Sequence, residues 1–133
     1  MQPDSEGFIY PRVDENACIN CGICVDNCPQ LVRPTIKNML TEPSVFAAKI
    51  KDRDTLLKSS SGGVFSALAH SILEQGGVVF GVAFDKDLVA RHTYAESVEQ
   101  ISSMRGSKYV QSDTGDTYQK VKTFLELGRT VLY

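Results

Sequence analysis

Cys18-Ile19-Asn20-Cys21-Gly22-Ile23-Cys24-Val25-Asp26-Asn27-Cys28-Pro29 holds all four cysteines of the 133-residue chain. The spacing is C-x2-C-x2-C-x3-C-P, the bacterial run that presents thiolates to a cubane [4Fe–4S] cluster. Three cysteines placed two residues apart wrap one curled loop, so their sulfurs converge on neighbouring corners of the cube. Gly22 lets that loop turn tightly, having no side chain to clash. Pro29 ends it, removing a backbone donor and steering the chain away. Structural zinc favours two Cys-x-x-Cys pairs separated by a longer stretch, and disulfides here would close only tiny loops with little gain. The expectation is an iron–sulfur centre with Cys18, Cys21, Cys24 and Cys28 as metal ligands.

Cys28 leaves two arrangements open. In two-cluster ferredoxins the cysteine before the proline ligates the other cluster, and no second motif occurs in this sequence. Either all four thiolates close on one cluster, or the chain is half of a two-cluster unit.

The length suits one ordinary domain, or a small cluster unit followed by a compact α/β piece. The cysteine placement favours the second. Formal net charge is −2, with mixed signs and no basic stripe, so nucleic acid is not an expected partner. The start shows no basic segment leading into an apolar one, and no apolar run approaches membrane-spanning length. Thiols that must stay reduced to bind iron then point to the cytoplasm, with no membrane partner.

Taken in order, Phe8 to Val13 suits a short edge strand around Pro11, and Asp14-Glu15-Asn16 a polar turn. Residues 30–44 read as a linker with one helical turn over 36–40, which sets a boundary near Pro43: a 4Fe-4S ferredoxin-type half-domain over 1–43 and a partial α/β domain over 44–133. Val45 to Lys51 is expected to be a strand, and Asp52-Arg53-Asp54 a solvated charged turn.

Val64, Phe65, Leu68, Ala69, Ile72 and Leu73 recur at helical spacing. Ser59, Ser60 and Ser61 stand where an N-cap belongs, and Gly76-Gly77 where the helix stops. A helix N-terminus rich in Ser and Gly favours an anion such as a flavin or nucleotide phosphate. Plain capping with close packing accounts for the same residues without a ligand.

Val78 to Phe84 reads as a buried strand, and Leu88 to Tyr94 as a strand paired back against it. His92 is expected to face solvent or a core neighbour. Ser97-Val98-Glu99-Gln100 is a capping-box pattern opening a helix to Met104. Arg105 and Lys108, in the polar run that follows, suit an anionic substrate or an exposed loop equally. Asp113 or Thr114 should cap a helix whose Tyr118, Val121, Phe124 and Leu125 share a face, closing at Gly128. Thr130 to Tyr133 is strand-like. The fold class is therefore α+β or α/β: half of a ferredoxin-like cluster unit followed by a small mixed α/β domain.

Ser60-Ser61-Gly62-Gly63-Val64-Phe65, Val79-Phe80-Gly81, Gly106-Ser107-Lys108-Tyr109-Val110-Gln111-Ser112 and Val131-Leu132-Tyr133, in this order behind a ferredoxin motif, resemble the coenzyme F420 hydrogenase/dehydrogenase beta-subunit family. The resemblance covers nearly the whole chain, and the ordered set is more specific than any one motif. It implies electron transfer between iron–sulfur clusters, FAD and a deazaflavin or another acceptor, together with a protein electron donor or acceptor. It also implies flavin or substrate contacts at Ser60, Ser61, Gly62, Gly63, Ser107, Lys108 and Tyr109. It identifies no catalytic residue.

Roles in polysaccharide synthesis are proposed for many relatives, so the resemblance extends to such a role without fixing the substrate. The family's upstream cysteine motif and downstream Gly-Thr-Pro-Cys stretch do not appear, so the chain is expected to be an internal piece of a longer protein. A partner-binding module with a structural cluster and an inactive gene fragment are the rival readings.

Overall fold

The computed structural model describes residues 2–31 and 44–133. The helical turn expected over 36–40 and the boundary expected near Pro43 lie outside the described residues. The chain divides into two compact units, Met1–Phe46 and Ala47–Tyr133.

In the first unit Gln2–Pro3 (β1) pairs antiparallel with Ile9–Tyr10 (β2). The Asp4 carboxylate closes the turn between them, accepting the Glu6 and Phe8 N–H groups at 2.9 Å each. The strand expected to run to Val13 is thus only two residues long, because Pro11 follows it and has no N–H to offer a ladder. The expected polar turn forms at Asp14, whose carboxylate accepts the Asn16 N–H at 3.0 Å. The cysteine loop follows, with one helical turn at Ile23–Asp26 (α1). None of the described residues of this unit is buried.

The second unit is built on a three-stranded sheet. Val78–Phe84 (β3) is its central strand, antiparallel to Ala90–Ala95 (β4) and parallel to Val131–Leu132 (β5). Alternation along β3 assigns its two faces. Val79 points into a core with Ala69 and Leu73 of helix Val64–Glu74 (α3), Ala95, and Ile101 and Met104 of a 3₁₀ helix, Gln100–Met104. Gly81 makes room for Met104, whose Sδ would stand 3.0 Å from a Cβ there. Phe80 points the other way, to Tyr94 and to Phe124 of helix Thr117–Glu126 (α4), with ring centroids at 5.7 and 6.1 Å. Both faces of β3 therefore carry packed side chains, and the fold is a mixed α/β domain that follows a cluster-type loop in sequence.

Both long helices end as their glycines predict. Gly76 N–H bonds the Leu73 carbonyl and Gly77 N–H that of Ile72, at 2.9 Å each; Gly128 and Arg129 repeat the pattern on Leu125 and Phe124. These are Schellman closures, with Gly76 and Gly128 in the left-handed region.

Four local expectations are corrected. Residues 44–50 form no strand; instead the Ile50 N–H donates to the Gly62 carbonyl at 2.7 Å, laying the segment against the turn before α3. The supposed charged turn begins a short helix, Arg53–Leu57 (α2), because the Asp52 carboxylate caps it by accepting the Thr55 N–H at 2.8 Å. The serines do not cap α3: its N-cap is Gly63, at φ 72°, with no side-chain cap. Finally, α4 starts behind Asp116, because the Asp113 backbone bridges β4 and its carboxylate pairs with Arg91.

Candidate metal centre and anion cavity

The cysteine loop is shaped by two residues in the left-handed region, Asn20 at φ 53° and Gly22 at φ 75°. Glycine meets that requirement freely and asparagine tolerates it. The Gly22 carbonyl accepts the N–H groups of Val25 and Asp26 at 2.9 and 3.0 Å, which seats Cys24 on α1. The Cys28 N–H then bonds the Val25 carbonyl at 3.1 Å and closes the turn. All four thiols are free, with Cys18, Cys21 and Cys24 exposed and Cys28 half-buried. The Asn20 N–H donates to Cys18 Sγ at 3.4 Å, the kind of contact that tunes a cluster's potential. Asn20 is a residue the spacing alone did not single out; a polar residue that accepts left-handed backbone inside a cysteine run was the available signal.

This donor set fits an iron–sulfur cluster. Four thiols free of disulfides lie on one short bend, and Ile19 and Ile23 beside them are exposed apolar side chains able to shield a cluster from water. Among the described residues no three His, Cys, Asp or Glu side chains gather around the position of a single ion. A cubane takes its thiolates one per iron, on separate corners, and needs no such gathering.

In the second unit, Ser59 to Ser66, Ala48, Arg105 and Gly106 line a cavity of about 200 Å³ around the start of α3. Its glycines are demanded by contact. A Cβ on Gly62 would strike the Ala48 carbonyl, and one on Gly63 would stand 2.7 Å from Ile50 Cγ2. Ser66, 1% exposed, accepts a hydrogen bond from Arg105 Nε at 3.1 Å. An uncapped helix start and a guanidinium together make an electropositive lining. A volume of 200 Å³ is below the roughly 300 Å³ at which small-molecule pockets begin. The cavity has room for a group the size of a phosphate or carboxylate, not for a whole flavin.

Of the residues expected to contact flavin or substrate, Ser60, Ser61, Gly62 and Gly63 come together here, while Ser107, Lys108 and Tyr109 lie outside the lining. Tyr109 is 94% exposed. Lys108 Nζ donates to the Ser103 and Arg105 carbonyls at 3.0 Å each, and burial pushes its ammonium below the usual lysine range. Arg105 and Gly106, one turn earlier, stand in the cavity instead. His92, on β4, stacks on Tyr133 with centroids 5.7 Å apart and meets Ser112 Oγ through Nδ1 at 3.0 Å.

Residues 45–117, more than half of the chain, match the family described as coenzyme F420 hydrogenase/dehydrogenase, beta subunit N-term. The chain belongs to this family. The beta-subunit match spans α2, α3, β3 and β4, and with them every residue lining the cavity at the start of α3. A 4Fe-4S binding domain is matched over residues 10–32, the stretch that contains all four cysteines. No curated protein and no solved structure matches the chain. As in the sequence, then, this F420 hydrogenase/dehydrogenase beta-subunit relative joins an iron–sulfur segment to the N-terminal beta-subunit region. Among the described residues no helix is long and apolar enough to cross a membrane.

Proposed function

We propose that the chain is the iron–sulfur electron-transfer module of a flavin-dependent oxidoreductase, exchanging electrons with a protein partner in the reducing cytoplasm. The observation that carries this reading is the pairing of a 4Fe-4S segment with the beta-subunit region in one chain. When bound, a cubane cluster passes electrons singly, and a flavin converts them into the hydride that a deazaflavin or nicotinamide accepts. Cys18, Cys21 and Cys24 would hold the cluster as thiolates, with Cys28 closing the same cluster or serving a second one. The Asn20 N–H, already directed at Cys18 Sγ, would withdraw charge from that sulfur and raise the potential of a bound cluster. Ser60 to Gly63 and Arg105 take an anionic group of flavin or substrate at the start of α3.

Anaerobic reconstitution followed by iron and acid-labile sulfide analysis tests the metal assignment. About four of each per chain is the expected content. Colourless protein carrying stoichiometric zinc would sink the assignment. With no buried residue among those described in the first unit, the cluster also contributes to holding that unit folded. Cys21→Ser separates the two roles. Lost reduction with an unchanged fold supports electron transfer, whereas lost folding together with lost partner binding supports a structural role.

A further inference from the structure

Arg105 is the one cation in the cavity lining, and two contacts fix it. Ser66 is buried at 1% exposure, and its hydroxyl receives Arg105 Nε–H at 3.1 Å. A buried hydroxyl in the first turn of α3 is costly unless it is used, and here it orients a guanidinium. From the other side Lys108 Nζ reaches back to the Ser103 and Arg105 carbonyls at 3.0 Å each, tying off the end of the 3₁₀ helix. These carbonyls belong to a helix C-terminus, where a cation is favoured. Gly106, at φ 81°, provides the reversal that brings Lys108 over them.

We propose that Lys108 is a positioning residue which, together with Ser66, holds the Arg105 guanidinium at the start of α3 to receive one anionic group. The proposal rests on the anion reading of that cavity. Lys108 acts through backbone carbonyls and does not touch the ligand, so its removal misplaces Arg105 without removing a charge from the site.

The test uses the full chain, with inorganic pyrophosphate as probe and hydrogen exchange at Arg105 Nε–H as a ligand-free readout. Wild-type protein should show slow Nε–H exchange, and both Ser66→Ala and Lys108→Met should speed it about tenfold or more, a threshold set by loss of one net hydrogen bond. Lys108→Arg, which keeps the cation and its donors, should preserve it. Pyrophosphate affinity should fall in both Lys108→Met and Arg105→Gln, and in the Arg105→Gln background Lys108→Met should cost little further affinity, as expected of a residue that acts through Arg105. Unchanged Arg105 exchange in a folded Lys108→Met protein overturns the clamp. A loss of affinity from Lys108→Met as large in the Arg105→Gln background as in the wild type also overturns it, by making Lys108 a contact independent of Arg105. Should Lys108→Met not fold, Lys108→Gln replaces it in the same two measurements. A wild-type chain that binds no pyrophosphate overturns the anion reading, and Arg105 exchange in the same sample distinguishes that result from a failed clamp.

Discussion

Gly63 does two things that no other residue could do at its position. It turns the chain through φ 72° into α3, and it leaves space for Ile50 Cγ2, which would stand 2.7 Å from a Cβ. Left-handed backbone costs an L-residue about 1–2 kcal/mol, and the clash adds to that. Gly128, at φ 74° with nothing within 4 Å of a Cβ, carries the first cost without the second. Gly63→Ala is therefore expected to lower unfolding free energy by about 3 kcal/mol and Gly128→Ala by about 1. Urea denaturation of both variants checks this, and equal losses would show that the Ile50 contact is of no consequence. The thiols, by contrast, depend on chemistry more than on packing: their spacing alone identifies the expected donor set.

Among the elements, the acidic residues that start helices and brace turns set the response to pH. The Thr55 hydroxyl and N–H hold the Asp52 carboxyl below the usual carboxylate range, and Arg91, with the Val89 N–H, does the same for Asp85. A carboxyl whose pKa is lowered on folding contributes stability above its unfolded value and loses it as pH falls through the folded one. The urea midpoint should thus be flat from pH 7 to about 5 and fall below about pH 4. Asp52→Ala and Asp85→Ala should each flatten the acid limb, and a midpoint in those variants that still falls as steeply as in the wild type would contradict the assignment.

The same elements explain what could be read in advance. Helix α3 and strand β3 were legible because Val64 to Leu73 and Val78 to Phe84 carry long apolar patterns separated by Gly76-Gly77, and β4 because a polar turn at Asp85 to Asp87 leads into a mixed, strand-like pattern. Helix α2 was not, since the five residues from Arg53 to Leu57 are too few for a period and one capping hydrogen bond decides them. Asp113 had the composition of a cap, but its pairing with Arg91 is a tertiary choice. For the cavity, Ser60 to Gly63 could be singled out as a helix start, whereas the exchange of Lys108 for Arg105 in its wall depends on how the 3₁₀ helix ends.

At the scale of the whole molecule, the two units are stabilised by different means. The second has a core of Ala69, Leu73, Val79, Ala95, Ile101 and Met104. The first has no buried residue among those described, and burial too small to offset chain entropy calls for a metal or a cross-link. Removal of iron with a chelator should therefore abolish amide protection over residues 17–31 while leaving β3 and α3 protected, as hydrogen exchange would record. Uniform loss of protection would mean that the second unit does not fold by itself.

The proposed electron transfer requires a redox-active cubane in the four-cysteine bend. Low-temperature electron paramagnetic resonance of anaerobically reconstituted protein, recorded before and after dithionite, detects such a centre. A fast-relaxing signal that appears on reduction, accounts for about one spin per cluster and vanishes in Cys21→Ser is the predicted result. A protein that stays silent on reduction while holding stoichiometric zinc would contradict it.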